Sequence, residues 1–429
     1  MNTLIADKEV SLAELSSVAQ TDASHKIRTN QGLESQLAYV RQTKADHGYS
    51  KAIARLFDLV MSYIDDAEKA ARNGRKAVWM AGGAWSPLYY AADTIPISIN
   101  ELGRLGSSDA MFVAEDYFQL PKESCSMVGA VLGEFYLRLG RTVKRMAVYN
   151  AQCEPLNLAW ELLRDEGFDI FRVEAINRPN TADTKDRLDG LEAFLEQELK
   201  DLNQWLVDRP IDEDRLRVEI QRTNRILRKV RRIMSLRIEN PLYIRSLASM
   251  YLLIGSAHYF GKPDEYENVL DTLIDELEHS PLIPLPRGKI VPLAWSGGRG
   301  QEFGVYKAID DSGGAILSWH TPDPWLTDID ESLPPLKGYV RHIVSGRRGG
   351  SQQERLEQIE RSLAKYGGVK GILSYGYVGC SRGGSGREYQ RIYFQKRNIP
   401  SIALEGTFQV GPPSGQLLTR VRAFIEMLS

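Results

Sequence analysis

KIVPLAWSGGRGQEFGVYKAIDDSGGAILSWH, residues 289–320, reads as a strand, a glycine-rich turn, a helix and a second strand. The same alternation continues to the C-terminus. QQERLEQIERSLAKYG is a helix, GILSYGYV a strand leading to Cys380, SGREYQRIYFQKRN a helix, PSIALEG a strand and SGQLLTRVRAFIEMLS a helix. Repeated strand–loop–helix units predict a mainly parallel sheet with helices on both faces. Upstream, PLIPLPRG (281–288), with Pro281, Pro284 and Pro286, reads as a linker. Before it, leucines 188, 191, 195, 199, 202 and 206 step by three and four, the mark of an amphipathic helix. Pro210 ends that helix, 213–238 reads as a second, and 241–260 and 263–279 as two more.

A first alternating block precedes this helical stretch. KAVWMAG is a strand, Gly82–Gly83 a turn, and SPLYYAADTI a helix with Ser86 as N-cap and Pro87 at its first position. IPISIN, KRMAVYN and DIFRVEA are further strands, and EPLNLAWELLRDEG is a helix running on from Cys153. Residues 51–72 carry helical apolar spacing, and 1–50 are polar and weakly patterned. The expected class is α/β: two doubly wound, mainly parallel-sheet domains, a helical segment between them and an N-terminal helical arm. The expected boundaries are 1–72 for the arm and its helices, 73–182 and 283–429 for the α/β domains, and 183–282 for the helical segment.

The chain has 429 residues, 43% hydrophobic and 26% charged, with a formal net charge of −2. Nothing in that balance points to nucleic acid or an anionic membrane. No apolar run approaches the roughly 18 residues of a membrane helix, and the first residues lack the pattern of a signal peptide. The three cysteines, Cys125, Cys153 and Cys380, are an odd set spread widely through a large chain. That argues against a disulfide framework and fits a reducing cytoplasm.

Cys153 and Cys380 each follow a predicted strand and precede a helix, where open α/β sheets gather ligands. Cys125 lies in the loop LPKESCSMVG, ahead of an apolar helical stretch at 127–139. Three such thiols can converge on a cleft between domains, and thiolates suit iron–sulfur or zinc. The other reading is three ordinary buried cysteines; spacing does not choose, since no CxxC pair is present. SGGRGQ (296–301) matches neither nucleotide motif and reads as a tight turn or as a loop facing a ligand. The basic run Arg225, Arg228, Lys229, Arg231 and Arg232 reads as a solvated helix face or as a seat for phosphates. His25, His47, His258, His279, His320 and His342 show no paired metal spacing; of these, His320 and His342 lie beside predicted strands. Ser86 and Ser374 stand in no GxSxG context, so a hydrolase triad has no support.

Four stretches resemble the 2-hydroxyacyl-CoA dehydratases and ATP-dependent benzoyl-CoA reductases. They are WSPLYYAADTIPISINELG, ESCSMV, VYNAQCEP and the C-terminal run from GILSYGYVGCSRGG to GQLLTRVRAFIEML. The resemblance runs from about residue 75 to the end, and the cysteines keep the family's short-then-long separation. It implies a [4Fe–4S] cluster held by Cys125, Cys153 and Cys380, with the fourth iron open. It also implies a related second subunit, in a heterodimer or homodimer, an ATP-hydrolysing iron–sulfur activator and an acyl-CoA substrate. The activator's low-potential electron would reduce the thioester to a ketyl radical. By matching position, Ser86 and Glu101 are candidates for substrate hydrogen bonding and acid/base work. The chain departs from the family where Pro87-Leu88-Tyr89 replaces a Pro-x-Glu pattern. Rival readings are a non-catalytic metal-binding or electron-relay subunit, with zinc on the cysteines and a histidine as one form, and an α/β binding protein without metal.

Overall fold

The computed structural model describes residues 36–81, 86–99, 108–137, 142–149, 153–174, 185–283, 290–320, 327–346, 351–363, 368–408 and 411–429. Residues 36–46 form α1 and Lys51–Arg72 form α2. The first α/β unit holds β1 (Lys76–Ala81), α3 (Ser86–Ala91), β2 (Thr94–Ser98), α4 (Ser108–Asp116), α5 (Ser126–Leu137), β3 (Arg145–Tyr149), α6 (Glu154–Asp165) and β4 (Asp169–Val173). Four helices follow: α7 (Lys185–Val207), α8 (Glu213–Leu236), α9 (Ser246–Gly255) and α10 (Pro263–His279). The second unit holds β5 (Val291–Gly297), α11 (Gly304–Asp311), β6 (Gly314–His320), α12 (Pro335–Ser345), α13 (Gln352–Leu363), β7 (Gly371–Tyr377), α14 (Ser381–Gln395), β8 (Ser401–Gly406) and α15 (Gly415–Leu428).

Both sheets are four-stranded and parallel, and both have the same order: β2-β1-β3-β4 and β6-β5-β7-β8. In each, the chain turns back across its first strand, so the crevice beside that strand's carboxyl end is a ligand position of this architecture. Alternate strand residues enter different cores, as the period of two demands. Trp79 and Ala81 of β1 pack with α5 and α6, whereas Val78 and Met80 face Leu195, Leu199 and Leu202 of α7 and Tyr339 of α12. In the second sheet Leu293 and Trp295 join the Trp79 core, while Ala294 meets α13 and α14. The expected fold class is therefore found: both sheets are covered on both faces. The leucine stripe of α7 closes one face of the first sheet.

Several elements differ from expectation. The helix expected over 241–260 begins only at Ser246 and gives way to a 3-10 turn at Tyr259–Gly261, where Tyr259 and Phe260 take positive φ. The helix expected from Ser385 begins at Ser381, because Cys380 caps it from the strand end. The helices α4 and α12 have no counterpart in the sequence reading. Ser86 falls inside α3 as its first residue, and its hydroxyl donates to the Ala257 carbonyl rather than capping its own helix. Gly82–Gly83, Glu101 and His25 lie outside the described residues. The basic run on α8 is a solvent-facing helix surface, as one of its two readings has it, with its charges taken up by carboxylates rather than open to an anion. Arg225 and Lys229 pair with Glu267, Lys229 also with Asp271, and Arg232 with Glu278, all on α10. Arg228 and Arg231 pair with Asp328. Each such exposed pair is worth about 0–1 kcal/mol, so the run adds more to alignment than to stability. No helix among the described residues is long and apolar enough to cross a membrane.

A buried polar hub ties the arm, the helical segment and the second sheet. Arg237, 1% exposed, donates to the carbonyls of Ile244 and of Ile316 in β6. Asp310 of α11 accepts from the Ser246 hydroxyl at 2.6 Å and from its amide. His47 Nε2 accepts from the Arg245 amide at 3.1 Å, and its Nδ1 reaches the Thr43 carbonyl at 2.6 Å. Burial pushes the Asp310 carboxyl up to about 6, against Arg237 and Arg245. It pushes His47, and His342 on α12, down to about 4. The two effects have opposite signs. Asp310 contributes stability that is complete below about 4 and lost as pH rises through 6. The histidines contribute stability that is complete above 6.5 and lost as pH falls through 4. Asp310 thus offsets part of the acid destabilisation. Asp310→Asn is expected to make the loss of stability between pH 6.5 and 4.5 steeper than in the wild type, read as urea midpoints across that range. Parallel curves for the two chains would rule out titration of Asp310 there.

Candidate metal centre

Each cysteine stands at the start of a helix. Cys153 is the N-cap of α6, just beyond β3, and Cys380 is the N-cap of α14, just beyond β7. β3 and β7 hold the same place in their sheets, so these two thiols are structural counterparts. Cys125 immediately precedes α5, which packs beside α6. A helix N-terminus presents unpaired amides and the positive end of its dipole, which favours thiolate over thiol. The Gly383 amide donates to Cys380 Sγ at 3.2 Å, and the amides of Met127 and Val128 point at Cys125.

The fold brings Cys125 and Cys380 together. The Ser126 amide donates to the Val378 carbonyl at 3.1 Å, and the Phe408 amide to Ser126 Oγ at 3.0 Å. Between these clamps Gly379 has φ +77°, and a Cβ there would lie 2.4 Å from the Ser124 carbonyl oxygen. Only glycine fits so close a crossing. Cys380 sits within hydrogen-bonding reach of Cys125, and this neighbour, with burial, holds the Cys125 thiol well above the usual range; the two amides act the other way. Cys125 is 6% exposed and Cys380 half-buried.

The glycine-rich loop after β5 lies against Tyr375 and Tyr377, and the Tyr377 phenol in turn neighbours Cys125. Gly297, at φ +103°, lets the loop turn over β7, and the Gly298 amide donates to the Tyr375 carbonyl at 2.9 Å. The Arg299 and Gly300 amides reach the Tyr377 hydroxyl. Burial pushes that phenol up to about 12, with the Arg299 cation opposing and Cys125 adding to the rise. Tyr375 donates to Glu302 at 2.7 Å, and the amides of Thr407 and Ser414 serve the same carboxylate. Arg299, Glu302, Tyr375 and Tyr377 were not picked out by sequence reasoning. Their only signals were the glycine-rich loop and the alternation SYGY ahead of Cys380.

Cys153 is half-buried on the neighbouring helix. Among the described residues no three His, Cys, Asp or Glu side chains are grouped closely enough to hold a metal ion. Residues 150–152 lie outside the described residues. In its chemistry the donor set fits an iron–sulfur cluster: three thiols at helix N-termini, two of them already in contact.

The remaining candidates lie elsewhere. Ser86, 2% exposed, lines a small pocket with Thr223, Leu227, Tyr259, Tyr339 and His342. His320 bonds Ser318 and Ser362 at 2.8 and 2.9 Å. Ser374 is buried in β7.

Residues 85–428 match the family model of the 2-hydroxyglutaryl-CoA dehydratase D-component. That span takes in all three cysteines, the whole second sheet and three strands of the first. No individually curated protein matches the chain. With most of its length matched, the chain belongs to the 2-hydroxyglutaryl-CoA dehydratase D-component family, a dehydratase-type enzyme component.

Proposed function

We propose that this chain is the iron–sulfur component of a radical 2-hydroxyacyl-CoA dehydratase, with a [4Fe–4S] cluster on Cys125, Cys153 and Cys380. The contact between Cys125 and Cys380, each at a helix N-terminus and each from a different α/β unit, carries the reading. When bound, such a cluster supplies one-electron chemistry and, with three protein thiolates, an iron left open. The chain's own residues shape that position. Helix-terminal amides offset negative charge, and Tyr377 and Phe408 wall it with aromatic surface, their rings 5.1 Å apart. A D-component implies a partner component. An ATP-hydrolysing activator would deliver the electron, a ketyl radical would form at the thioester carbonyl, and water would leave the 2-hydroxyacyl-CoA. The family match supports dehydration; ring reduction, which the resemblance implied equally, has no such support.

The placement of Ser86 favours an electron-relay role within that enzyme. Its hydroxyl is buried and already given to Ala257, so it is not poised to bind a thioester. Glu101 stays a candidate on position alone.

Four outcomes follow. Anaerobic reconstitution should give brown protein with about four irons and matching acid-labile sulfide per chain. Cys125→Ser and Cys380→Ser should each lose most of that iron; retention of full iron in either variant, or zinc in colourless protein, would refute the assignment. Gly379→Ala should also lose most bound iron while keeping its helical circular dichroism, whereas Gly384→Ala, with open space around it, should load normally. Equal loading of both glycine variants would show that the close crossing is not needed. With a partner component, activator and ATP, a 2-hydroxyacyl-CoA should lose water, followed by chromatography of the enoyl-CoA. A partner that turns over fully with the Cys380→Ser chain would sink the electron-transfer role.

A further inference from the structure

Cys125 and Cys380 are held face to face by backbone, not by side-chain chance. The Ser126–Val378 hydrogen bond and the close crossing at Gly379 hold the two segments together, and the Cys380 thiol lies within hydrogen-bonding reach of Cys125. A disulfide needs its two α-carbons within roughly 4.4–6.8 Å, which side chains in such contact approach. The two thiols differ in access. Cys380 is half-buried, with the Gly383 amide on its sulfur, whereas Cys125 is 6% exposed. The three cysteines form no metal-holding group among the described residues, and the chain has no fourth cysteine to compete.

We propose that, without a bound cluster, Cys125 and Cys380 close into a disulfide that joins the two α/β units and withholds both sulfurs from metal. The oxidant is a small disulfide such as oxidised glutathione. The Cys380 thiolate attacks it, giving a mixed disulfide and one glutathione thiol. Cys125, losing its proton, then attacks the Cys380 sulfur. The protein S–S bond forms and the second glutathione leaves as a thiol. Two electrons and two protons pass to the glutathione pair. Cys380 is thus the entry thiol and Cys125 the resolving one. The effect on iron uptake rests on the cluster reading above; the disulfide itself does not.

The test uses the full-length chain, stripped of metal under a dithiol reductant without air and then given oxidised glutathione. Free thiols should fall from three to one. Peptide mapping without reduction should join the Cys125 and Cys380 peptides and leave Cys153 free. In Cys125→Ser, Cys380 should stop at the glutathione adduct. Three remaining thiols, or a Cys153 bridge as the main product, would overturn the proposal. Iron and sulfide are then offered to both redox forms. Uptake by the reduced form alone supports the switch, and equal uptake by both forms refutes it. A disulfide that closes as described in a chain that takes no iron in either form would refute the cluster reading while leaving the disulfide in place.

Discussion

In a parallel sheet, a helix that follows a strand must start at the strands' carboxyl edge. That constraint organises this molecule. Both sheets repeat one strand order, so β3 and β7 deliver their helices at equivalent places, and each delivery point carries a cysteine. Cys125 reaches the first unit's edge through α5, which lies beside α6. All three cysteines thereby stand at helix starts, and at Cys125 and Cys380 the amides reach the sulfur. The arrangement comes from topology; no local motif is required, which is why no CxxC pair marks it.

The contact across units needs the two edges held in register. One core runs through both sheets, from Trp79 and Val148 by way of α2, α9 and α10 to Trp295 and Tyr375. The Arg237–Asp310–Ser246 hub and His47 pin the same parts by hydrogen bonds that leave little tolerance. At the start of α2, Glu276 of α10 accepts from the Lys51 and Ala52 amides, a carboxylate at the positive end of a helix. A buried carboxylate and a buried guanidinium cost stability, and their worth is that they admit one relative placement of the elements they join. The hypothesis that specificity is their role accords with Asp310 sitting in α11, the helix that follows the glycine-rich loop.

Much of this was legible in the sequence. Strands rich in Val, Ile, Leu and Trp, alternating with amphipathic helices, specified the sheets, because burial on both faces leaves long apolar runs. The helix-start position of Cys153 and Cys380 was legible too. What was not legible depends on tertiary contact. α14 begins at Ser381, through three glycines that propensity disfavours, because Cys380 and the strand end fix its first turn. The α8 basic run was ambiguous because its acidic partners are on α10 and at 328–331, remote in sequence. Ser86 read as a helix N-cap, and only the fold brings the Ala257 carbonyl to its hydroxyl. That Cys125 meets Cys380 is likewise a fact of three dimensions.

The electrostatics of the pair unite its two proposed fates. Two sulfurs side by side, one of them buried, cannot both ionise cheaply: the Cys380 neighbour and burial both hold the Cys125 thiol up. Helix-terminal amides reduce that cost, but they carry only partial charges. Two thiolates held so need either a bound cation that cancels their charge or a bond between them that removes it. A soft metal centre does the first and a disulfide the second. The same crossing at Gly379 that brings the sulfurs into reach of one metal brings them into reach of each other. A site built to hold iron loosely enough for an open position therefore carries, in the same atoms, the means of closing when iron is absent.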